Sequence, residues 1–125
     1  FEKVIDEQYG IADTAKPSVS NKNSRAQQLF GEITPKFAEL TDNVLYADGW
    51  ERLGLSKRDR SLITVSALIA LNRPDQLRSH IGLATTNGLT REELAEAITH
   101  LAFYSGWPTS VTAATIAKEV LQPTK

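Results

Sequence analysis

Helical periodicity bounded by helix-start and helix-stop residues runs from residue 24 almost to the end of the chain, and no segment alternates as a strand would. Capping hydroxyls or first-turn prolines stand before the apolar runs, which predicts helix starts at Thr34-Pro35, Ser56, Pro74, Thr90 and Pro108. Asn87-Gly88 and Gly106 predict helix ends. The sequence therefore predicts an all-α fold, a compact bundle of about six helices.

The size and charge of the chain bound its class. Its 125 residues, 41% of them hydrophobic, suffice for one domain with its own core. We place that domain at residues 24–125, after an N-terminal arm or tail over residues 1–23 that offers few apolar side chains to bury. A formal net charge of −1 predicts no general affinity for polyanions, so nucleic acid is not an expected partner. No apolar run approaches the roughly 20 residues of a membrane-spanning helix, so no membrane association is expected.

The chain contains no cysteine. Thiol chemistry is therefore excluded, because only a thiolate attacks a peroxide or a disulfide in the way that thiol peroxidases require. A cysteine-free chain also suits a reducing compartment, and the cytoplasm is the predicted location.

The helix that starts at Ser56 has a body, residues 62–71, that is apolar almost all round. This pattern predicts a central core helix, enclosed by neighbouring helices or by other subunits. Several helices are also rich in alanine and serine, which permits close approach between helices or subunits and makes an oligomer an expectation.

His80 lies at the edge of a buried stripe on its predicted helix. With Leu77 as the origin and 100° per residue, His80 falls at about 300°, beside the apolar side, and Gln76, one turn earlier, could orient the imidazole. An inert core histidine and a general acid or base in an apolar pocket both remain open. The spacing predicts no metal site, because no second histidine or carboxylate lies three or four residues after His80 to complete a ligand set.

Lys57, Arg58 and Arg60 crowd the first turn of a helix, where the helix dipole is already positive. This cluster predicts either acidic partners elsewhere in the fold or a site for an anionic ligand, and a solvated basic turn is the alternative. Arg73 falls at about 320° in the same projection and so shares the side of His80. Arg58, Arg60 and Arg73 are therefore candidate substrate-binding residues.

Tyr104 and Trp107 are aromatic side chains with a polar group, which suits either core and interface anchors or the wall of a small-molecule pocket. Ser61 adds a hydroxyl to the helix that starts at Ser56. Serine catalysis would need a base and oxyanion donors that the sequence does not show.

Four segments carry a resemblance to a known family. From about residue 29 to residue 121 the sequence resembles the carboxymuconolactone decarboxylase family, a cysteine-free branch of the alkylhydroperoxidase D-like superfamily. The segments are residues 50–62 (WERLGLSKRDRSL), 77–80 (LRSH), 87–94 (NGLTREEL) and 104–108 (YSGWP). The resemblance implies an all-helical bundle that assembles as trimers or hexamers, with pockets near the subunit contacts.

The resemblance also implies a reaction. A carboxylated unsaturated lactone of the 4-carboxymuconolactone type would lose CO₂ and give an enol-lactone, a step in the breakdown of aromatic compounds by the β-ketoadipate route. The dienolate that forms is stabilised through the lactone carbonyl, so no cofactor is expected. The expected partners are a small anionic lactone or carboxylate and further copies of the chain.

The family's histidine corresponds to His80, which would deliver a proton to the ring carbon, and its arginine-rich turn corresponds to Arg58 and Arg60. Ser61 stands where the redox branch has a glutamate proton relay, and Leu77 and Pro74 stand where it has thiols, so thiol peroxidase activity is not expected. Leu53 stands where a proline is common in the decarboxylases. Residues 47–49 (ADG) alter the family's usual spacing of a glycine and an acidic residue before Trp50.

Binding of the substrate carboxylate would fall to Arg58, Arg60 or Arg73, and Tyr104 or Trp107 would wall the pocket and donate to the lactone oxygen. Two alternatives stay open. One is an isomerase or hydrolase of another small lactone or oxo-acid. The other is a noncatalytic oligomer that binds a small carboxylate or a partner protein.

Overall fold

The computed structural model describes residues 23–122 of the chain. All regular structure in this part is helical and none of it is strand, so the all-α prediction is confirmed. The arm predicted over residues 1–23 lies, apart from Asn23, outside the described residues. The described chain divides into two units, residues 23–54 and residues 55–122.

The first unit consists of short helical segments. A π-helical segment, Gln27–Gly31, precedes helix α1, Pro35–Leu40, which continues into a second π-helical segment, Thr41–Tyr46, and a 3₁₀ turn, Gly49–Glu51. Pro35 opens α1 as predicted, but Thr34 does not cap it, because its hydroxyl donates back to the carbonyl oxygen of Phe30 at 2.9 Å.

The second unit contains four longer helices. They are α2, Lys57–Ala70; α3, Pro74–Thr86; α4, Arg91–Ser105; and α5, Trp107–Val120. Helix α2 packs against α3 and α4, and α5 packs against the same two helices, so the order around this bundle is α2, α3, α5, α4. No helix within residues 23–122 combines the length and the apolar character needed to cross a membrane.

The ends of these helices follow the predicted caps. The Ser56 hydroxyl accepts a hydrogen bond from the Asp59 amide at 3.0 Å, and Thr90 and Glu93 form a reciprocal capping box. Gly88, with φ of 106°, supplies the left-handed residue after α3, a conformation that only glycine adopts without strain. These local interactions fix where α2 and α4 begin and where α3 ends.

The core of the second unit lies between the four helices. Its buried apolar side chains are Val65, Ile69, Leu77, Ile81, Ala84, Leu89, Leu94, Ile98, Ala113 and Ile116. We predicted that α2 is enclosed by neighbouring helices or by other subunits. The helices of residues 55–122 cover it only in part, since Ile63 is 56% exposed and Leu71 is also exposed, so enclosure by other subunits stays a prediction. In the bundle, α2 has packing partners on one side only, and its apolar outer face has no partner among residues 55–122.

Each pair of neighbouring helices in the bundle is also joined by a polar side-chain bond. The bonds are Arg58–Glu93 between α2 and α4, Asn87–Ser61 between α3 and α2, Arg78–Glu119 between α3 and α5, and Ser110 to the Ile98 carbonyl between α5 and α4. These bonds, together with the packing of the core, favour one register of the helices.

Candidate functional site

Most of the predicted site residues lie on α2 and α3. A three-residue connection joins these helices, and Asn87, just after α3, bonds to Ser61 near the start of α2, so the two helices are antiparallel. Because both helices rise by the same distance per residue, a residue n positions before Asn87 on α3 is level with the residue n positions after Ser61 on α2. This register places His80 level with Leu68, about 10 Å along the helix axis from the Asn87–Ser61 bond.

His80 is half-buried, and its Nδ1 atom is inaccessible to solvent. On α3 it lies next to the buried side formed by Leu77 and Ala84, as the helical projection predicted. Its side chain is on the part of α3 that adjoins α2, because Asn87, which reaches Ser61, lies only about 20° away around the helix. The imidazole is thus partly enclosed at the groove between α2 and α3.

Arg60 lies on α2 about 200° around the helix from Arg58, which reaches α4, and this places it toward α3. It precedes Ser61, is half-buried, and has its Nε atom inaccessible to solvent. Thr64, one turn later on the same side of α2, donates its hydroxyl to the Arg60 carbonyl oxygen at 2.8 Å. Arg60 and His80 therefore lie on facing helices along one groove, with Arg60 nearer the Ser61 end.

Ser61 and Asn87 connect the two sides of the groove. The Asn87 amide nitrogen Nδ2 donates to the Ser61 hydroxyl at 2.9 Å, and Ser61 is 1% exposed. A hydroxyl so deeply buried can act on a ligand only through its neighbours. The sequence analysis assigned Asn87 no role in the site, although its position seven residues after His80 places both on one side of α3.

Arg58 is held by carboxylates. Its Nη1 donates to Asp59 at 3.0 Å, and its Nη2 donates to Glu93 of α4. The hydrogen bond to Glu93 raises the pKa of Arg58. Two hydrogen bonds lower the pKa of Glu93: the one from the Thr90 backbone N–H has the larger effect, and the one from Arg58 the smaller. Of the three explanations for the basic turn, acidic partners within the fold therefore apply to Arg58.

Arg73 and Gln76 lie at the opposite end of the groove, and both are exposed. The Arg73 guanidinium donates to the carbonyl oxygen of Leu71 at 3.0 Å and to that of Asn72 at 3.4 Å. Arg73 thus binds carbonyls that follow the last turn of α2, on the side of His80 away from Arg60.

Tyr104 and Trp107 lie apart from this groove within one copy of the chain. Tyr104 is 78% exposed and its ring lies tilted against that of His100, with ring centroids 4.9 Å apart. Trp107 is 62% exposed and meets the Phe103 ring edge-on at 5.6 Å. Tyr104 is on α4, which lies diagonally across the bundle from α3. Neither aromatic side chain belongs to the core of residues 55–122.

The groove offers an imidazole, a guanidinium and a fixed amide, which together suit binding of a carboxylate beside a proton donor. Among residues 23–122 no three His, Cys, Asp or Glu side chains are grouped so that they could hold a metal ion. A family model described as the carboxymuconolactone decarboxylase family matches residues 35–119. The chain belongs to the carboxymuconolactone decarboxylase family. The matched family region contains the whole of α2, α3 and α4 and therefore the groove itself.

Two curated relatives are decarboxylases. The chain is 34% identical over 99 residues to a 4-carboxymuconolactone decarboxylase of Acinetobacter baylyi, covering 79% of this chain and 74% of that protein. It is 31% identical over 83 residues to nitrosuccinic acid decarboxylase npaB of Metarhizium robertsii, covering 66% of this chain and 58% of that protein. An uncharacterized 15.0 kDa protein of Paracoccus denitrificans is 27% identical over 123 residues, covering 96% of this chain and 89% of its own length.

Proposed function

We propose that this member of the carboxymuconolactone decarboxylase family is a carboxy-lyase that acts on a carboxylated unsaturated lactone of the 4-carboxymuconolactone type. The product would be an enol-lactone formed during the breakdown of aromatic compounds. The observation that carries the proposal is the position of His80, half-buried at the α2–α3 groove with Arg60 on the facing helix. The two relatives that are decarboxylases support the reaction class.

The reaction itself demands little from the protein. The bond between the ring carbon and its carboxylate breaks, CO₂ leaves, and the electron pair passes into the conjugated lactone as a dienolate. A proton then adds to a ring carbon. Because the lactone carbonyl accommodates the charge, binding, orientation and one proton donor are sufficient, and no cofactor enters the scheme.

His80 is the proton donor in this scheme. Its partial enclosure keeps bulk water from competing for the dienolate, and general acid catalysis of this kind contributes about 10²- to 10⁴-fold to a rate. The imidazolium that starts the cycle becomes neutral on proton transfer and is reprotonated from solvent. Gln76, one turn earlier on α3, would orient the imidazole when substrate is bound.

Arg60 is the arginine that we assign to the substrate carboxylate. Arg58 is less suited to this role, because its guanidinium lies against Glu93, on the side of α2 that meets α4 and not α3. Arg73, beyond His80 at the other end of the groove, would bind a second acid group beside its Nη1 bonds to the Leu71 and Asn72 carbonyls. A guanidinium suits this task because its planar donors match the two oxygens of a carboxylate.

We assign the remaining two predicted residues, Tyr104 and Trp107, to the site of a neighbouring copy of the chain. Tyr104 and Trp107 are exposed and distant from the groove of their own copy. In the trimer or hexamer that the family resemblance implies, they would form an apolar wall with a hydroxyl donor for the groove of the next subunit. Thus homo-oligomer formation is part of the proposal.

An assay with purified protein and 4-carboxymuconolactone tests the proposal. The ultraviolet spectrum follows conversion of the lactone, and a CO₂ measurement reports decarboxylation. We expect one CO₂ per lactone consumed, with an enol-lactone product. Consumption of the lactone without CO₂ would indicate an isomerase or hydrolase instead, and binding without turnover would indicate a carboxylate-binding protein.

A further inference from the structure

Asn87 is held in a defined orientation at one end of the α2–α3 groove. Its Nδ2 donates to the Ser61 hydroxyl at 2.9 Å, and that hydroxyl belongs to a buried side chain. Asn87 itself is only half-buried. A surface asparagine normally rotates among several orientations, but a bond to a buried partner fixes which atoms of the amide point away from the helix contact.

The position of Asn87 relates it to both proposed site residues. It follows His80 by two helical turns, so the two residues lie about 10 Å apart along the axis and about 20° apart around it. On the facing helix, Arg60 directly precedes Ser61. Asn87 and residue Arg60 are therefore at the same end of the two helices, and His80 lies further along α3.

We propose that Asn87 is a substrate-binding residue that shares the carboxylate with Arg60. An asparagine amide has two N–H donors, and the bond to Ser61 uses one of them. The second N–H donates to a carboxylate oxygen, adding a neutral donor beside the guanidinium. Ser61 then acts indirectly, by orienting Asn87. This inference rests on the proposed function and names the ligand class of that site as a small acid with its carboxylate at the Asn87 end.

Calorimetric titration with succinate, a dicarboxylate that cannot react, tests the inference without turnover. Asn87→Ala should weaken binding about tenfold, the usual cost of losing a hydrogen bond to a charged group. Asn87→Asp should weaken it about a hundredfold, because a carboxylate beside the ligand adds repulsion to the lost donor. Thr86→Ala is the matched control, since Thr86 is exposed and bonds only to the Gly82 carbonyl in its own helix.

Ser61→Ala separates the orienting role from a direct one. We expect it to weaken succinate binding in the same direction as Asn87→Ala, and the double variant Ser61→Ala/Asn87→Ala to bind no more weakly than Asn87→Ala alone. Losses that simply add would overturn the orienting role. Thermal melts of every variant report folding, and Asp, being isosteric with Asn, provides a folded variant if Ala does not.

Two results would overturn the inference. One is succinate binding by folded Asn87→Asp with the affinity of the unmodified protein, and the other is no succinate binding by the unmodified protein. The proposed function fails separately, if the unmodified protein releases no CO₂ from 4-carboxymuconolactone. A protein in which His80→Ala abolishes turnover while Asn87→Asp binds succinate normally would leave the reaction intact and remove Asn87 from it.

Discussion

Arg58 and Glu93 form an ion pair that joins the first turn of α2 to the first turn of α4, and the same Glu93 carboxylate accepts the Thr90 backbone N–H of its capping box. One carboxylate therefore accepts hydrogen bonds at the starts of two helices. It also offsets the unfavourable position of an arginine at the positive end of a helix dipole. The basic turn that suggested an anion site is thus in part a structural element of the bundle.

The pKa of Glu93 makes this element dependent on pH. Hydrogen bonds from the Thr90 backbone and Arg58 hold the pKa below its ordinary value of 4.5. Ionised Glu93 therefore stabilises the fold fully above that value, and the contribution is lost as the pH falls through the lower pKa of the folded protein. Glu93→Gln should lower Tm by a few degrees at pH 7, and the difference from the unmodified protein should shrink as the pH drops below about 4.5.

Thermal melts between pH 7 and pH 3 provide the measurement. Glu92→Gln is the control, because Glu92 is the exposed neighbour in the same turn of α4. A Tm difference for Glu93→Gln that stays constant across this range would show that the carboxylate does not stabilise the fold through its charge.

Arg58 and Arg60 should differ in what they affect. Arg60→Ala should raise KM for the lactone about tenfold or more, because it removes a charged donor to the substrate carboxylate. Arg58→Ala should lower Tm and leave KM nearly unchanged. Steady-state kinetics and melts of both variants decide between these roles, and a larger rise in KM for Arg58→Ala would reverse the assignment.

Ile69 and Ile63 provide a matched pair on α2. Ile69 is 1% exposed in the core, so Ile69→Ala should cost about 2–5 kcal/mol of unfolding free energy. Ile63→Ala should cost about 1 kcal/mol or less, since little apolar area is lost from an exposed site. Denaturant titrations measure both values. Equal losses would mean that the outer face of α2 is covered in solution, as an assembly of several copies would cover it.

Arg78 joins α3 to α5 through Glu119, with its Nη2 3.1 Å from the carboxylate. Both side chains are exposed, so the pair should contribute only about 0.2–1 kcal/mol. A double-mutant cycle with Arg78→Ala and Glu119→Ala measures the coupling, which should fall further in 1 M salt as screening increases. A coupling energy that is large and independent of salt would contradict the description of Arg78–Glu119 as a weak surface ion pair.

The sequence predicted those features of the fold that depend on neighbouring residues. Ser56 and Thr90 cap their helices as expected, and the projection of α3 correctly placed His80 beside the buried side. The π-helical turn of residues 41–46 was not predicted, because no capping or breaking residue marks it in the sequence.

Contacts between distant residues were harder to predict. Glu93 is 35 residues from Arg58, and Asn87 is 26 residues from Ser61, so neither bond follows from the pattern of one helix. The position of Tyr104 depends on the order of helices around the bundle, which helix patterns alone do not specify. The cytoplasmic location, the trimer or hexamer, and the lack of a nucleic-acid partner remain predictions.

Turnover of 4-carboxymuconolactone by His80→Ala is the decisive measurement for the proton-donor role. We expect kcat to fall by about 10²- to 10⁴-fold, with Tm close to that of the unmodified protein. Thr86→Ala, which alters an exposed side chain on the same helix as His80, should retain full activity. A folded His80→Ala protein whose kcat stays within a few-fold of the unmodified enzyme would show that the proton comes from elsewhere.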